Sequence, residues 1–369
     1  MDLVYYYPMR GGAPAHVAQN IFEYLKERRE ELPFDNLKLF VASKYAKRVQ
    51  EYFSNFEVVT YKNMSGISRE SVIHIPISPL IYPNGKFLLH LFAILKKMKL
   101  ILHYHGDMRK EMYLQLKYEH SLNISYIPTY IALPVLLRSA NKLIVNSYLM
   151  SNLVQREYGA KDVVVIPNGI DDFWFEDNKE RKELEGEPAF FYHGRLSPEK
   201  GVDLLIMGFF KVVRNSSKAK LYIAGDGPQQ KHLRNLCNKL GIEKNVDFLG
   251  FIDKKEIKSY LKSVDAAIYP SRWDNFSLAI LEALSSAECP VYLSKQAGIY
   301  DFIVRDGYSL NTFEPTIENI SRVIKDILNK NNDKQIIKQQ KKFTDKYTWD
   351  RIIEQYIKLY IITVYKHET

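Results

Sequence analysis

Cysteine is scarce: the 369 residues contain two, Cys237 and Cys289. Neither stands at metal-ligand spacing from another Cys or His, which speaks against a zinc framework. Two isolated thiols fit a reduced, cytosolic chain better than a disulfide scaffold. A secretory leader is missing from the start, because MDLVYYYPMRGG has no basic opening followed by an apolar helix. No segment reaches the roughly 20 apolar residues that span a bilayer. The longest candidate, Tyr126 to Leu137, is interrupted by Pro128 and Pro134. No Asp-x-Asp triplet occurs anywhere, so the usual carboxylate clamp for a divalent metal on a nucleotide diphosphate is absent. There is no low-complexity tract and no short-period repeat, which sets solenoids aside.

What is present describes a soluble globular protein, with 46% hydrophobic and 26% charged residues and enough length for two domains. The net charge of +9 is unevenly spread. Residues 1–170 hold 21 Lys and Arg against 14 Asp and Glu, and residues 171–369 hold 31 against 29. A basic first half implies an acidic partner: nucleic acid, an anionic membrane surface or a phosphorylated substrate. No basic recognition helix or nucleic-acid-binding motif accompanies the charge, which disfavours nucleic acid.

Hydrophobic runs organise the chain. Leu3–Pro8 (LVYYYP) is an aromatic, β-branched strand, followed by glycines and an amphipathic helix with Val17, Ile21, Tyr24 and Leu25 on one face. Further strands are expected in NLKLFVAS, FEVVTY, VIHIP, KLILHYHGD, KLIVNS and VVVIPNG. Their continuous rather than alternating hydrophobicity indicates parallel strands covered on both faces. The acidic, polar stretch Glu176–Pro188 has almost nothing to bury and marks a boundary. A second α/β set follows, with strands in AFFYHGRL, KLYIAGDGP, NVDFLG, DAAIYP and CPVYLS. Apolar residues at Trp349, Ile352, Ile353, Tyr356 and Tyr360 predict a long terminal helix with one strongly apolar face. The expected architecture is therefore α/β: two facing, Rossmann-like, doubly wound domains, residues 1–170 and 171–347, with an interdomain cleft and residues 348–369 returning to the first domain.

Several residues carry candidate chemistry. HGRLSPEKG (His193–Gly201) ends a strand and places Arg195 and Lys200 five apart across a turn, where both can converge on one anion. The helix beginning near Gly201 adds backbone N–H groups and its positive end. Gly225 and Gly227 in IAGDGP resemble half of a dinucleotide fingerprint, but Gln230 occupies the third glycine position and Pro228 intervenes, so a dehydrogenase is a weak reading. Gly11 and Gly12 follow the first strand and permit close backbone approach to a ligand; a plain tight turn accounts for them equally well. His103 and His105 fall on one side of a strand end, with no third metal ligand nearby; either a cleft-lining or a hydrogen-bonded structural histidine fits. Asp274 and Glu282 stand eight apart around a loop-to-helix junction. An N-capping Asp with a helix-surface Glu is the plain account of them.

Taken in order, Gly11-Gly12, His105-Gly106, PNGID, GRLSPEKG, GDGP, VDFLGF and the Asp274-to-Glu282 stretch resemble glycosyltransferase family 4, retaining enzymes of GT-B fold. The resemblance covers essentially the whole chain. It implies a nucleotide-sugar in the cleft and maps the family's E-x7-E motif onto Asp274 and Glu282. Glu282 is then expected to hold the ribose hydroxyls, and the backbone N–H groups of Phe276, Ser277 and Leu278 to contact phosphate or sugar. Asp274, where the family usually has Glu, would meet the donor sugar's hydroxyls. Arg195 and Lys200 would stabilise the diphosphate leaving group, His105 would touch the sugar, Gly12 would pack against phosphate and acceptor, and Gly225, Gly227 and Phe251 would complete the donor side. No cofactor and no metal are implied beyond the nucleotide-sugar, a UDP-sugar ahead of a GDP-sugar.

Family members of this kind often use lipid-linked acceptors, and Gly85–Lys99 mixes apolar residues with Lys86, Lys96, Lys97 and Lys99. Peripheral association with the cytoplasmic leaflet is expected from it; a core helix with solvated lysines is the competing account. The expected activity is a hexosyl transfer to a glycan or lipid-linked acceptor. The alternatives are a synthase acting on a small soluble acceptor and a non-catalytic nucleotide-sugar-binding protein.

Overall fold

The structure, a computed structural model, describes residues 1–9, 12–78, 85–119, 124–177, 180–213, 218–329 and 334–365. Gly11 therefore lies outside the described residues. The chain forms two compact units, each built on one all-parallel sheet.

In the first unit the strands are β1 (Asp2–Tyr6), β2 (Asn36–Phe40), β3 (Val58–Val59), β4 (Val72–Ile75), β5 (Lys99–Tyr104), β6 (Lys142–Val145) and β7 (Val163–Val165). They lie in the order β3-β2-β1-β4-β5-β6-β7. The chain winds outward from β1 on one side and from β4 on the other, so the order reverses between these two neighbours, where α/β sheets open a crevice at the strands' carboxyl ends. The near-total burial of Leu3, Val4 and Tyr5, and of Val72, Ile73 and Ile75, explains the unbroken apolar runs: helices cover both faces. The helix Trp349–Tyr365 belongs to this unit and buries the five apolar positions that its spacing predicts.

The second unit has β8 (Ala189–His193), β9 (Lys220–Ala224), β10 (Val246–Gly250), β11 (Ala266–Tyr269), β12 (Val291–Ser294) and β13 (Thr312–Phe313), in the order β10-β9-β8-β11-β12-β13. The same reversal occurs, between β8 and β11. Residues Lys110–Ser121 sort with this second unit although they precede its sheet by many residues. The reason is local: Lys110 Nζ sits 3.6 Å from the centre of the Trp273 ring, and the Arg272 guanidinium stacks 4.6 Å from that of Tyr118.

Two expectations about lysines need correction. Lys86 is not at a surface: it is 5% exposed, and its ammonium donates to the Ser78 carbonyl at 2.6 Å. Lys99 is half-buried and donates to the carbonyls of Thr363 and Val364, satisfying the open carboxyl end of the terminal helix. Lys96 and Lys97 are exposed, as expected. No helix among the described residues is long and apolar enough to cross a membrane.

Candidate functional site

The carboxyl ends of β8 and β11 carry Arg195, Lys200, Asp274, Phe276 and Ser277, with Glu282 on the helix that follows, whereas Gly225 and Gly227 follow β9 and Phe251 follows β10. Two loops meet there, 194–201 after β8 and 270–277 after β11. Glu199 O accepts from Arg272 N at 2.8 Å and from Trp273 N at 3.2 Å, stitching them together. Gly201 has a φ of 66°, and a Cβ on it would lie 2.3 Å from Pro270 O, so only glycine lets the loops come this close. Asp274 is also pinned from the other side, where its N–H donates to Gln296 O and its carbonyl accepts from Gly298 N.

This framework places Lys200 Nζ 2.6 Å from Asp274 Oδ2. Burial by itself would lower the Lys200 pKa; the Asp274 carboxylate, helped by Glu199 and Glu111, more than offsets that and raises it. Lys200 is thus a fixed cation. Arg195, expected to converge with it, is exposed, and its guanidinium has no partner among the described residues. One cation is held by a carboxylate and the other is open.

Neither acid has the plain role. The N-cap of the helix Leu278–Ser286 is Ser277, whose hydroxyl accepts from Ile280 N, and not Asp274. Glu282 is turned inward, 3.1 Å from His193 Nε2, while His193 Nδ1 lies 2.7 Å from the Tyr269 hydroxyl. A carboxylate can only accept, so Nε2 carries a proton, and in the neutral ring Nδ1 accepts from Tyr269. The outcome is a Tyr269–His193–Glu282 chain that aims the carboxylate. The first N–H groups of this helix, at Leu278 and Ala279, have no intrahelical acceptor. Phe276 is buried edge-on against Phe302, which fixes the loop just before that helix end.

Gly225 and Gly227 have φ of 129° and 159°; added Cβ atoms would lie 1.9 Å from Gly194 O and 2.4 Å from Leu196 O. Their glycine identity is therefore required by loop-on-loop packing after β8 and β9. Phe251 is 88% exposed.

In the first unit Gly12 caps the helix Ala13–Glu27 at a φ of −78° with nothing within 4 Å of an added Cβ. His105 follows β5; its N–H donates to Ser78 Oγ at 2.9 Å and its Nε2 donates to Pro76 O at 2.8 Å. Burial lowers its pKa to about 4. His103 lies on the same side, its ring 5.2 Å away, but is fully buried against Tyr356. Its Nε2 is 2.9 Å from His74 Nε2, and His74 Nδ1 is 2.6 Å from the Tyr360 hydroxyl. Among the described residues no group of three or more His, Cys, Asp or Glu is placed to hold a metal ion.

The sequence reading gave no role to His193, Tyr269, Trp273, Lys110 or Glu111. His193 opens the motif that supplied Arg195 and Lys200, and that position was the available signal. The rest meet only through the fold.

Two family models match, Glycosyltransferase Family 4 over residues 71–172 and Glycosyl transferases group 1 over residues 174–343. An uncharacterized glycosyltransferase, MJ1607 of Methanocaldococcus jannaschii, is 29% identical over 214 residues, covering 55% of this chain and 54% of the relative. The alpha-monoglucosyldiacylglycerol synthase of Streptococcus pneumoniae is 33% identical over 133 residues, 33% of this chain and 30% of that protein. The chain thus spans about half the length, or less, of these curated relatives. The structure of Anabaena Alr3699/HepE in complex with UDP superposes with a TM-score of 0.69 at 15% identity over 97% of this chain and 98% of that one. The two family matches together with the paired parallel sheets identify the chain as a family 4 glycosyltransferase of the GT-B fold class.

Proposed function

We propose that the protein moves a hexose from a nucleoside diphosphate sugar to a saccharide or lipid-linked saccharide acceptor, with retention of anomeric configuration and without a metal ion. The observation that carries this reading is the Lys200–Asp274 pair at the carboxyl edge of β8 and β11, with Glu282 held by His193 on the helix that follows. A donor seated there exchanges partners with the pair: its diphosphate takes Lys200 and the open Arg195, and its sugar hydroxyls take Asp274. Glu282, aimed by His193, takes the ribose hydroxyls. As the glycosidic C–O bond breaks, its electron pair goes to the β-phosphate oxygen. The two cations and the N–H groups of Leu278 and Ala279 stabilise the charge that develops there. A uridine donor is favoured over a guanosine one by the UDP in the HepE structure, and a lipid acceptor by the name of the S. pneumoniae synthase.

The test is a thermal-shift panel of UDP, GDP and ADP and their sugar conjugates, with a chelator present. A ligand that binds only the native state raises the melting temperature by mass action. A shift with UDP conjugates that survives chelation is expected. No shift with any nucleotide at saturating concentration overturns the reading, and a shift that vanishes with chelation overturns its metal-free part.

A further inference from the structure

The helix Met108–Glu119 begins just after β5, and its second residue is an arginine whose charge the chain leaves unanswered. The Arg109 guanidinium packs over two tyrosine rings of the first unit, 4.9 Å from the centre of Tyr130 and 4.7 Å from that of Tyr158. Such stacking holds the planar fork of N–H donors in place. Tyr158 is buried and Tyr130 is 39% exposed, so the stack is anchored at one ring and open to solvent at the other. Little in the chain uses the donors. Nε is buried without a hydrogen-bond partner, and Nη2 makes one long, exposed contact, 3.4 Å to the Tyr130 carbonyl. A positioned cation with an orphaned donor asks for an acceptor from outside. The adjacent acid does not pair with it. Asp107 accepts from the Tyr158 hydroxyl at 2.9 Å and from the Arg109 backbone N–H at 3.1 Å, and not from the guanidinium.

This arginine stands at the carboxyl end of β5, the edge that also holds His105. A second basic side chain without an acid serves the same edge. The buried Lys86 amine donates to the Ser78 carbonyl after β4, and the Ser78 hydroxyl accepts from His105 N–H. No carboxylate pairs with Lys86 among the described residues. Ligands of α/β sheets gather at this edge, and here its two basic groups lack counter-ions.

From this arrangement we infer that the first unit binds the oxyanion of an acidic acceptor, a carboxylate or phosphate borne by the saccharide, through the Arg109 guanidinium. A planar guanidinium offers two parallel N–H bonds to either group. The anion supplies the counter-charge that the chain withholds, and Lys86 adds to the attracting field. The cations given to the donor diphosphate, Arg195 and Lys200, belong to the second unit, so Arg109 is not needed for that role. The inference deepens the proposed function by naming the chemical class of its acceptor, and it rests on that reading for the transfer itself.

Calorimetric titrations of the full chain, run with UDP at saturation so that the donor site is filled, should compare glucose, glucuronate, glucose 1-phosphate and inorganic phosphate. Glucuronate or glucose 1-phosphate is expected to bind at least about tenfold more tightly than glucose or phosphate alone, and less tightly at high salt. Preference for glucuronate puts the acid on the sugar ring; preference for glucose 1-phosphate puts it at the anomeric linkage. Arg109→Gln is expected to lose about tenfold for the acidic sugar and to bind glucose like the wild type. Arg109→Lys keeps a cation over the rings should the Gln variant fail to fold; without the planar fork it too should lose most of the preference. A role in packing alone would lower the melting temperature of both variants and leave the ratio of acidic to neutral sugar intact, which would overturn the inference. So would a wild type that binds glucose as tightly as the acidic sugars, or inorganic phosphate binding as tightly as either of them. The thermal shift with UDP is read separately. Its absence beside an intact acidic preference overturns the transferase reading and supports the anion site; its presence without that preference does the reverse.

Discussion

Asp274 is the more deeply buried member of its ion pair with Lys200, 8% exposed against 21%. A carboxylate that far out of water depends on its cation: removing one partner of a buried pair strands the other. Lys200→Ala is therefore expected to cost about 3 kcal/mol of stability. Turnover should fall about a hundredfold or more as leaving-group stabilisation is lost. Thermal melts and steady-state rates check both. Lys200→Ala/Asp274→Ala should lose less stability than the sum of its single variants, because the pair is then gone as a unit.

Glu282 separates nucleotide binding from folding. Glu282→Gln keeps an oxygen for the His193 N–H, so its melting temperature should stay near that of the wild type while UDP affinity falls by about tenfold. Glu282→Ala leaves a buried histidine donor without an acceptor and should also lose about 1–3 kcal/mol of stability. Calorimetric titration with UDP beside thermal melts tells the two apart. A Glu282→Gln variant that binds UDP like the wild type removes Glu282 from the donor site.

The first unit should be acid-labile. Burial holds His74 at about 3 and both His90 and His105 at about 4, and pushes His103 well below the usual value of 6.5. These groups are neutral in the folded chain and take up protons on unfolding once the pH drops below 6.5. Stability is thus complete above 6.5 and declines as the pH falls from there toward about 4. Denaturant melts from neutral pH down to about pH 5 should show a falling midpoint. A flat profile would contradict the burial of these rings.

Lys86 works in the opposite pH range with the same sign of slope. Burial lowers its pKa to about 7 from 10.5, so between these values the unfolded chain binds the extra proton and stability rises with pH. Lys86→Met removes the buried amine; the melting temperature at neutral pH should rise and the alkaline slope should flatten.

The glycines split into two classes. Gly225→Ala should cost about 3 kcal/mol or more, since its Cβ would collide with Gly194 O at a φ closed to other residues. Gly12→Ala meets nothing within 4 Å and has a φ of −78°, but its ψ of −148° lies outside the regions open to alanine. It should cost about 1 kcal/mol rather than 3, and a loss of turnover beyond what the thermal melt accounts for then reports contact with substrate.

Most of the fold was legible because parallel, doubly covered strands write themselves as continuous apolar runs. Twelve of the strands follow from such runs; β13, two residues long at Thr312–Phe313, is too short to leave a pattern. The terminal helix was readable because its stripe keeps helical spacing. The site was legible as a set of residue types and not as a set of partners. Nothing in spacing says that Lys200 will find Asp274, 74 residues later, or that Ser277 and not Asp274 will cap the helix. Lysines usually lie at the surface, and Lys86 was misread for that reason. Lys110 and Tyr118 sort with the second unit because their stacking partners, Trp273 and Arg272, are far away in sequence and appear only once the chain has folded.

The helix Trp349–Tyr365 brings Tyr356 and Tyr360 onto His103 and His74, inside a unit whose strands all come from the first half of the chain. During synthesis the first unit's sheet is therefore strand-complete early but among the last surfaces to be covered. Until the final helix leaves the ribosome, β4 and β5 present a bare histidine-lined face, while the second unit, one uninterrupted stretch from Ile170 to Thr348 apart from the segment Lys110–Ser121, already has its whole sheet. A pause in translation anywhere in the second half prolongs the life of that uncovered surface, and chaperone dependence should track such pauses rather than overall stability.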